Sequence, residues 1–176
     1  MINGKLRTEN KLNQVNRFLN NSSHEIIKNK LNFKLNLSQD LNNHWLVGFS
    51  DADASFQIKI LKRINRKNPE IRLSFQIDQK KDFLLKLIKN FLGGNIGYRK
   101  TQDTYYYSST SFGSARNVIH FFDKYHLLSS KHVNYLKWRK VYIIIQNRQH
   151  LNPLGIKKII KIKNSMNSFS NEKLEL

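Results

Sequence analysis

The sequence contains no cysteine. Disulfides, thiol catalysis and cysteine-based zinc sites are therefore excluded. The six histidines fall at no short repeated spacing that would pair them as ligands. His120 and His126 read as packed or solvated side chains. Long apolar runs are missing too. The longest strongly apolar run, Val141-Tyr142-Ile143-Ile144-Ile145, is far short of the roughly 20 residues that a membrane span needs. No stretch gathers its basic residues opposite a Trp/Phe/Leu face in the manner of a surface-lying membrane helix. The first residues carry no apolar core of a secretory signal, and they are rich in Asn, a poor match to an Arg/Ser-rich import peptide. A membrane partner is not expected.

Acids are scarce. With 12 Asp and Glu against 31 Lys and Arg, the formal net charge is +19. Such an excess calls for a polyanionic partner, DNA or RNA. A length of 176 residues suits one domain with a sizeable core plus an arm or tail. The heavy use of Lys, Asn and Ile is what A/T-rich codons produce. It points to a protein encoded in an organelle, a mitochondrion or plastid, and made where it acts.

One stretch organises the rest: Leu46-Val47-Gly48-Phe49-Ser50-Asp51-Ala52-Asp53-Ala54-Ser55-Phe56. It reads as a short helix that runs into a strand. Gly48 and Ala52 lie one helical turn apart and leave a flat stripe where a second helix can approach closely. Asp51 and Asp53 fall where helix gives way to strand. After them the pattern changes to period two, with Phe56, Ile58 and Ile60 on one side and Gln57, Lys59 and Arg63 on the other.

This stretch resembles the motif of the LAGLIDADG homing endonucleases. In that family the motif helix packs against its counterpart from a second half. The last acid of each motif meets its mate at the floor of that interface and binds divalent metal. Matched residue by residue, the resemblance makes Asp53 the metal-binding acid and Mg2+ (or Mn2+) the cofactor. It puts Leu46, Gly48, Phe49, Asp51 and Ala52 at the dimer interface. The residues themselves leave Asp51 open to a plainer role, a helix-end acid that caps or pairs locally. One departure is Ala54, where the family usually has Gly.

The remaining pattern follows the same order. Residues 1–41 read as a basic N-terminal arm, with a weak helical face at Val15, Phe18 and Leu19 and a second possible one from Ile26, Ile27 and Leu31. Asn42 or Asn43 is the expected cap of the motif helix. A strand from Ser55 to about Ile64 ends in the turn Asn65-Arg66-Lys67-Asn68-Pro69. In the next, Ile71, Leu73, Phe75 and Ile77 alternate with Arg72, Ser74, Gln76 and Asp78, which predicts a sheet with one apolar and one polar face. Asp82 is read as the cap of a helix that buries Phe83, Leu84, Leu87, Ile88 and Phe91 and stops at Gly93-Gly94. Strands are predicted at Asn95–Lys100 and Thr104–Thr110. A helix follows from Ser111 or Phe112. Another, capped by Ser129 or Ser130, carries a stripe of Val133, Leu136, Val141, Ile144 and Ile145. A last helix begins at Pro153. Tyr105, Tyr106 and Tyr107 are ambiguous by parity.

The order is that of the family core. The expected fold is therefore an α/β (α+β) half-domain of αββαββα order, with an antiparallel four-stranded DNA-binding sheet and extra C-terminal helices. The domain should run over 42–168, with 169–176 a loose tail. Leu127-Leu128-Ser129-Ser130-Lys131-His132, with Trp138 after it, also resembles the family's closing segment. Ile2-Asn3-Gly4-Lys5-Leu6-Arg7-Thr8 is similar to the connector between the halves of two-motif members, so the chain resembles a second half alone. No internal repeat supplies another motif.

The resemblance further implies a catalytic set of Asp53, Gln79 and Lys131. Gln79 matches a polar residue at the end of the second strand, and Lys131 a lysine before the later helix. The polar alternates Gln57, Lys59, Arg63, Arg72, Ser74, Gln76 and Lys100 are the expected nucleic-acid contacts. The implied function is site-specific, metal-dependent double-strand cutting of DNA, as a self-dimer or with a separately encoded first half. The rival reading keeps the fold and loses the cut: an RNA-binding protein on intron or ribosomal RNA, such as an intron maturase or a component associated with the mitochondrial ribosome.

Overall fold

The computed structural model describes residues 6–21, 34–64 and 68–166. The second possible arm helix, the turn residues Asn65–Lys67 and the predicted tail at 169–176 lie outside the described residues, as does the start of the connector-like segment. The chain divides into two units, Met1–Asp40 and Leu41–Leu176. Leu41 goes with the second because it is buried in that unit's core.

In the first unit the weak pattern around Val15 forms a true helix, α1 (Glu9–Asn21). Within the same unit Arg7 is almost fully buried. Its guanidinium donates to the carbonyls of Ser38 and Asp40, and Asn36 N–H donates to Leu6 O at 2.7 Å. Desolvation lowers the Arg7 pKa, against the pull of Asp40.

The second unit begins with α2 (His44–Asp53), capped by Asn43, whose side chain accepts from Trp45 N–H at 2.9 Å. Strand β1 (Ala54–Leu61) follows without a break, then β2 (Glu70–Gln79) and α3 (Phe83–Leu92). Next come β3 (Asn95–Arg99), β4 (Thr104–Ser109) and α4 (Phe112–Lys124). The chain closes with α5 (Lys131–Gln146) and α6 (Pro153–Asn164). The four strands form one antiparallel sheet in the order β1-β2-β4-β3.

The apolar face of that sheet builds the core. Phe56, Phe75, Phe122, Tyr135 and Trp138 form one aromatic cluster, with ring centroids from 5.0 to 5.7 Å apart. Tyr107 resolves the tyrosine parity: it is fully buried beside Phe75, so Tyr106 projects from the opposite, polar face.

Several details differ from the sequence reading. β1 stops at Leu61, three residues short of the predicted end. Asp82 makes no capping bond and instead pairs with Lys86 at 2.7 Å. Helix α3 buries Leu84, Leu85, Ile88 and Leu92, leaving Phe83 and Phe91 exposed. Helix α5 turns Tyr135 and Trp138 inward, while Val133 and Leu136 face out. Gly93 and Gly94 end α3 at φ 74° and 92°, a backbone that a side chain would strain.

Candidate catalytic centre and nucleic-acid face

Asp53 is the last residue of α2, and its carboxylate is exposed. The β1–β2 register pairs Ala54 with Ile77, which carries the end of β2 past the helix–strand junction. Gln79 closes β2 there, and its Nε2 donates to Asp53 Oδ2 at 2.7 Å. Lys131 opens α5. Its ammonium donates to the carbonyls of Ala52 at 2.8 Å and Ser50 at 3.3 Å. These carbonyls belong to the last turn of α2, the negative end of its dipole. Burial lowers the Lys131 pKa, and the nearby carboxylates of Asp53 and Asp51 oppose that shift. The three residues assigned by resemblance to catalysis thus converge on one end of one helix.

Asp51 has a different task. Its carboxylate accepts from Leu128 N–H at 2.8 Å, Ser129 N–H at 3.3 Å and Ser129 Oγ at 2.6 Å. These bonds fix the loop that delivers Lys131, the local pairing that the plainer reading of Asp51 expects. Leu46 needs a correction. It is fully buried in the chain's own core and has no surface to offer a second helix. Gly48 and Ala52 are exposed on the open side of α2. Phe49 is half-buried and stacks on Trp45, with centroids 5.0 Å apart. Ala54 has φ −87° and ψ 159°, ordinary extended backbone that accepts a methyl group.

The polar face of the sheet carries most of the expected contacts. Gln57 is half-buried, bonded to Ser55 at 3.1 Å, and Lys59 is exposed opposite Arg72. Arg63 lies past the end of β1. It pairs with Glu70 at 2.9 Å, and Arg72 holds the other oxygen of the same carboxylate. Hydrogen bonds from Arg72 and then Arg63 keep the Glu70 carboxyl below its ordinary value. Two expected contacts fall elsewhere. Ser74 is only 2% exposed, a short side chain sunk in an inner strand. Lys100 leaves the sheet and starts the short helical turn Lys100–Gln102. The sequence reading assigned no contact role to Asp78, Arg99 and Tyr106, which share this face with Gln76. For Asp78 the signal was present, since it continues the Arg72, Ser74, Gln76 alternation.

The described residues hold no group of three or more His, Cys, Asp or Glu side chains able to surround a metal ion. What the junction offers is one exposed carboxylate, Asp53, while the helix-end carbonyls of Ser50 and Ala52 already accept from the Lys131 ammonium. A carboxylate oxygen suits a hard cation, and Mg2+ is commonly held by only one or two protein carboxylates plus substrate phosphates.

The family model for LAGLIDADG endonuclease matches residues 46–142. The chain belongs to that family. A cox1 intron-2 protein of 37.2 kDa from Schizosaccharomyces pombe, itself uncharacterized, is 59% identical over 162 residues, covering 92% of this chain and 50% of that protein. The intron-encoded DNA endonuclease aI3 of Saccharomyces cerevisiae is 29% identical, over 76% of this chain and 40% of its own length. The chain thus spans half or less of these relatives. Among solved structures, I-SmaMI bound to its uncleaved DNA target in the presence of calcium ions superposes with TM-score 0.69 at 32% identity, over 78% of this chain and 47% of that one. As in other LAGLIDADG proteins, the fold is mixed α/β around a four-stranded antiparallel sheet.

Proposed function

We propose that this LAGLIDADG chain acts as one half of a site-specific DNA endonuclease and cuts both strands when a second half completes the centre. The supporting observation is the convergence of Asp53, Gln79 and Lys131 at the end of α2, beside an exposed Gly48/Ala52 stripe. The second half is another copy of this chain or a first-half domain of the same type. A homodimer requires a nearly palindromic site.

Asp53 and the equivalent acid of the second half would hold Mg2+ or Mn2+. A bound divalent ion neutralises phosphate charge and activates water for hydrolysis. Gln79 holds the Asp53 carboxylate in one orientation. Lys131 brings a positive charge to the phosphate side of the junction, where it stabilises negative charge developing in the transition state. The polar face of the sheet lies in the major groove, with Gln57, Lys59, Arg72 and Gln76 as the contacts to base edges and phosphates. The cox1-intron relative supports a mitochondrial site of action.

The test supplies the purified chain with its insertion-site duplex, and separately with the same sequence as RNA, in Mg2+ or Mn2+. Metal-dependent double-strand cutting of the DNA, by the chain alone or with an added first half, is the expected result. Tight RNA binding with no DNA cutting under either condition overturns the proposal in favour of an RNA-bound scaffold.

A further inference from the structure

A second cluster lies on the polar face of the sheet, one residue from Gln79. Arg99 closes β3, Asp78 lies on β2, and β4 runs between them. Arg99 Nη1 donates to Asp78 Oδ2 at 2.9 Å. To reach it the guanidinium crosses the ring of Tyr106 on β4, its Cζ 4.6 Å from the ring centroid. Gly97 makes this possible. It pairs with Tyr106, and a Cβ there would come within 2.4 Å of the ring. On the other side Gln76 Nε2 donates to Asp78 Oδ1 at 3.1 Å.

Stability does not account for this arrangement. The Arg99 and Asp78 side chains are 31% and 43% exposed, and ion pairs at such exposure contribute little. On a face that meets phosphates, moreover, a carboxylate repels the ligand. Arg99 offsets part of that cost, and a hydrogen bond donated by the ligand would offset the rest. In the major groove the cytosine N4 amino group is the natural donor to an acid, and guanine O6 and N7 are the natural acceptors for an arginine fork. The ring of Tyr106 and the carboxylate of Asp78 hold the Arg99 fork in place before binding, so less freedom is lost on contact.

The geometry points to Asp78 and Arg99 as a joint reader of one guanine–cytosine pair, in the part of the half-site nearest the cut. This rests on the DNA-cutting reading above: Asp78 and Gln79 point to opposite faces of β2, and their shared place at its end, by the Asp53 junction, is what puts the pair near the scissile phosphates. The pair sets specificity and takes no part in the chemistry.

The experiment is a binding selection from randomised duplexes in calcium, with the wild type and with Asp78→Ala, Arg99→Ala and Arg99→Lys. The wild type should enrich a G·C pair at one fixed position, preferred roughly 5- to 150-fold over other pairs. Each variant should flatten that position and leave the rest of the enriched sequence unchanged. Arg99→Lys is included because it keeps the charge but loses the fork. Asp78→Ala should also bind random duplex more tightly than the wild type. An enriched sequence that is the same in all four proteins overturns the inference alone. Enrichment of no sequence by the wild type overturns it together with the DNA reading.

Discussion

Gln79 and Asp53 are 26 residues apart in sequence and 2.7 Å apart in space, the amide of one donating to the carboxylate of the other. The β1–β2 pairing brings them together, with Ala54 opposite Ile77 setting the offset. A carboxylate held from one side presents its other oxygen in a fixed direction. Partners of this kind orient metal ligands, and their loss typically costs about 10- to 100-fold in metal affinity or activity. Gln79→Ala should therefore lower single-turnover cleavage by about 10- to 100-fold while leaving duplex affinity unchanged. A parallel loss of binding would assign Gln79 to DNA contact instead.

The exposed side of α2 yields a prediction about assembly. A Cβ added at Gly48 meets nothing within 4 Å in the chain itself. Gly48→Leu is thus tolerated by the fold, and removing a helical glycine should stabilise the isolated chain by about 0.5–1 kcal/mol. The same side chain would hold a second helix away from the stripe. Sedimentation should show loss of the paired form with no loss of thermal stability. A variant that pairs as well as the wild type would move the interface elsewhere.

A clamp between α4 and α5 makes stability depend on acid pH. Asp123 accepts from Arg139 at 2.9 and 3.0 Å and from the Tyr135 hydroxyl at 2.5 Å. Burial pushes the Asp123 carboxyl up, but the bonds from Arg139 and Tyr135 outweigh it and hold the group below its ordinary value. A carboxyl whose folded pKa is depressed contributes stability that is complete above its unfolded pKa, about 3.9, and is lost as pH falls through the folded value. Asp123→Asn should be less stable than the wild type at pH 7, and the gap should close on acidification below roughly pH 4. Thermal unfolding from pH 7 to pH 3 checks this; a gap that stays constant over that range would contradict it.

The sequence disclosed what depends on local pattern. The motif helix, its run into β1 and the alternation of β2 were legible because period and small-residue spacing are local signals. The inward face of α3 was legible only at Leu84 and Ile88. Phe83, Leu84, Leu85, Leu87, Ile88, Phe91 and Leu92 make two overlapping stripes, and only the sheet beneath selects Leu84, Leu85, Ile88 and Leu92. Helix α5 showed Val141 and Ile144 but hid Tyr135 and Trp138, which compete with Val133 and Leu136 for the same turn. Asp51 was ambiguous because its partners lie 77 and 78 residues away. The Arg99–Asp78 pair was hidden for the same reason: it spans three strands whose order had to be known first.

The central claim is that Asp53 is the acid of a cutting centre and not a relic of one. Its most direct test is metal-dependent cleavage of the insertion-site duplex by the wild type and by Asp53→Asn, with duplex binding measured in parallel. An acid beside phosphate costs affinity unless a cation bridges them, so removing its charge relieves repulsion as it deletes the metal ligand. The account predicts that Asp53→Asn binds as tightly as the wild type or more so and does not cut. Cutting by Asp53→Asn at the wild-type rate would contradict it.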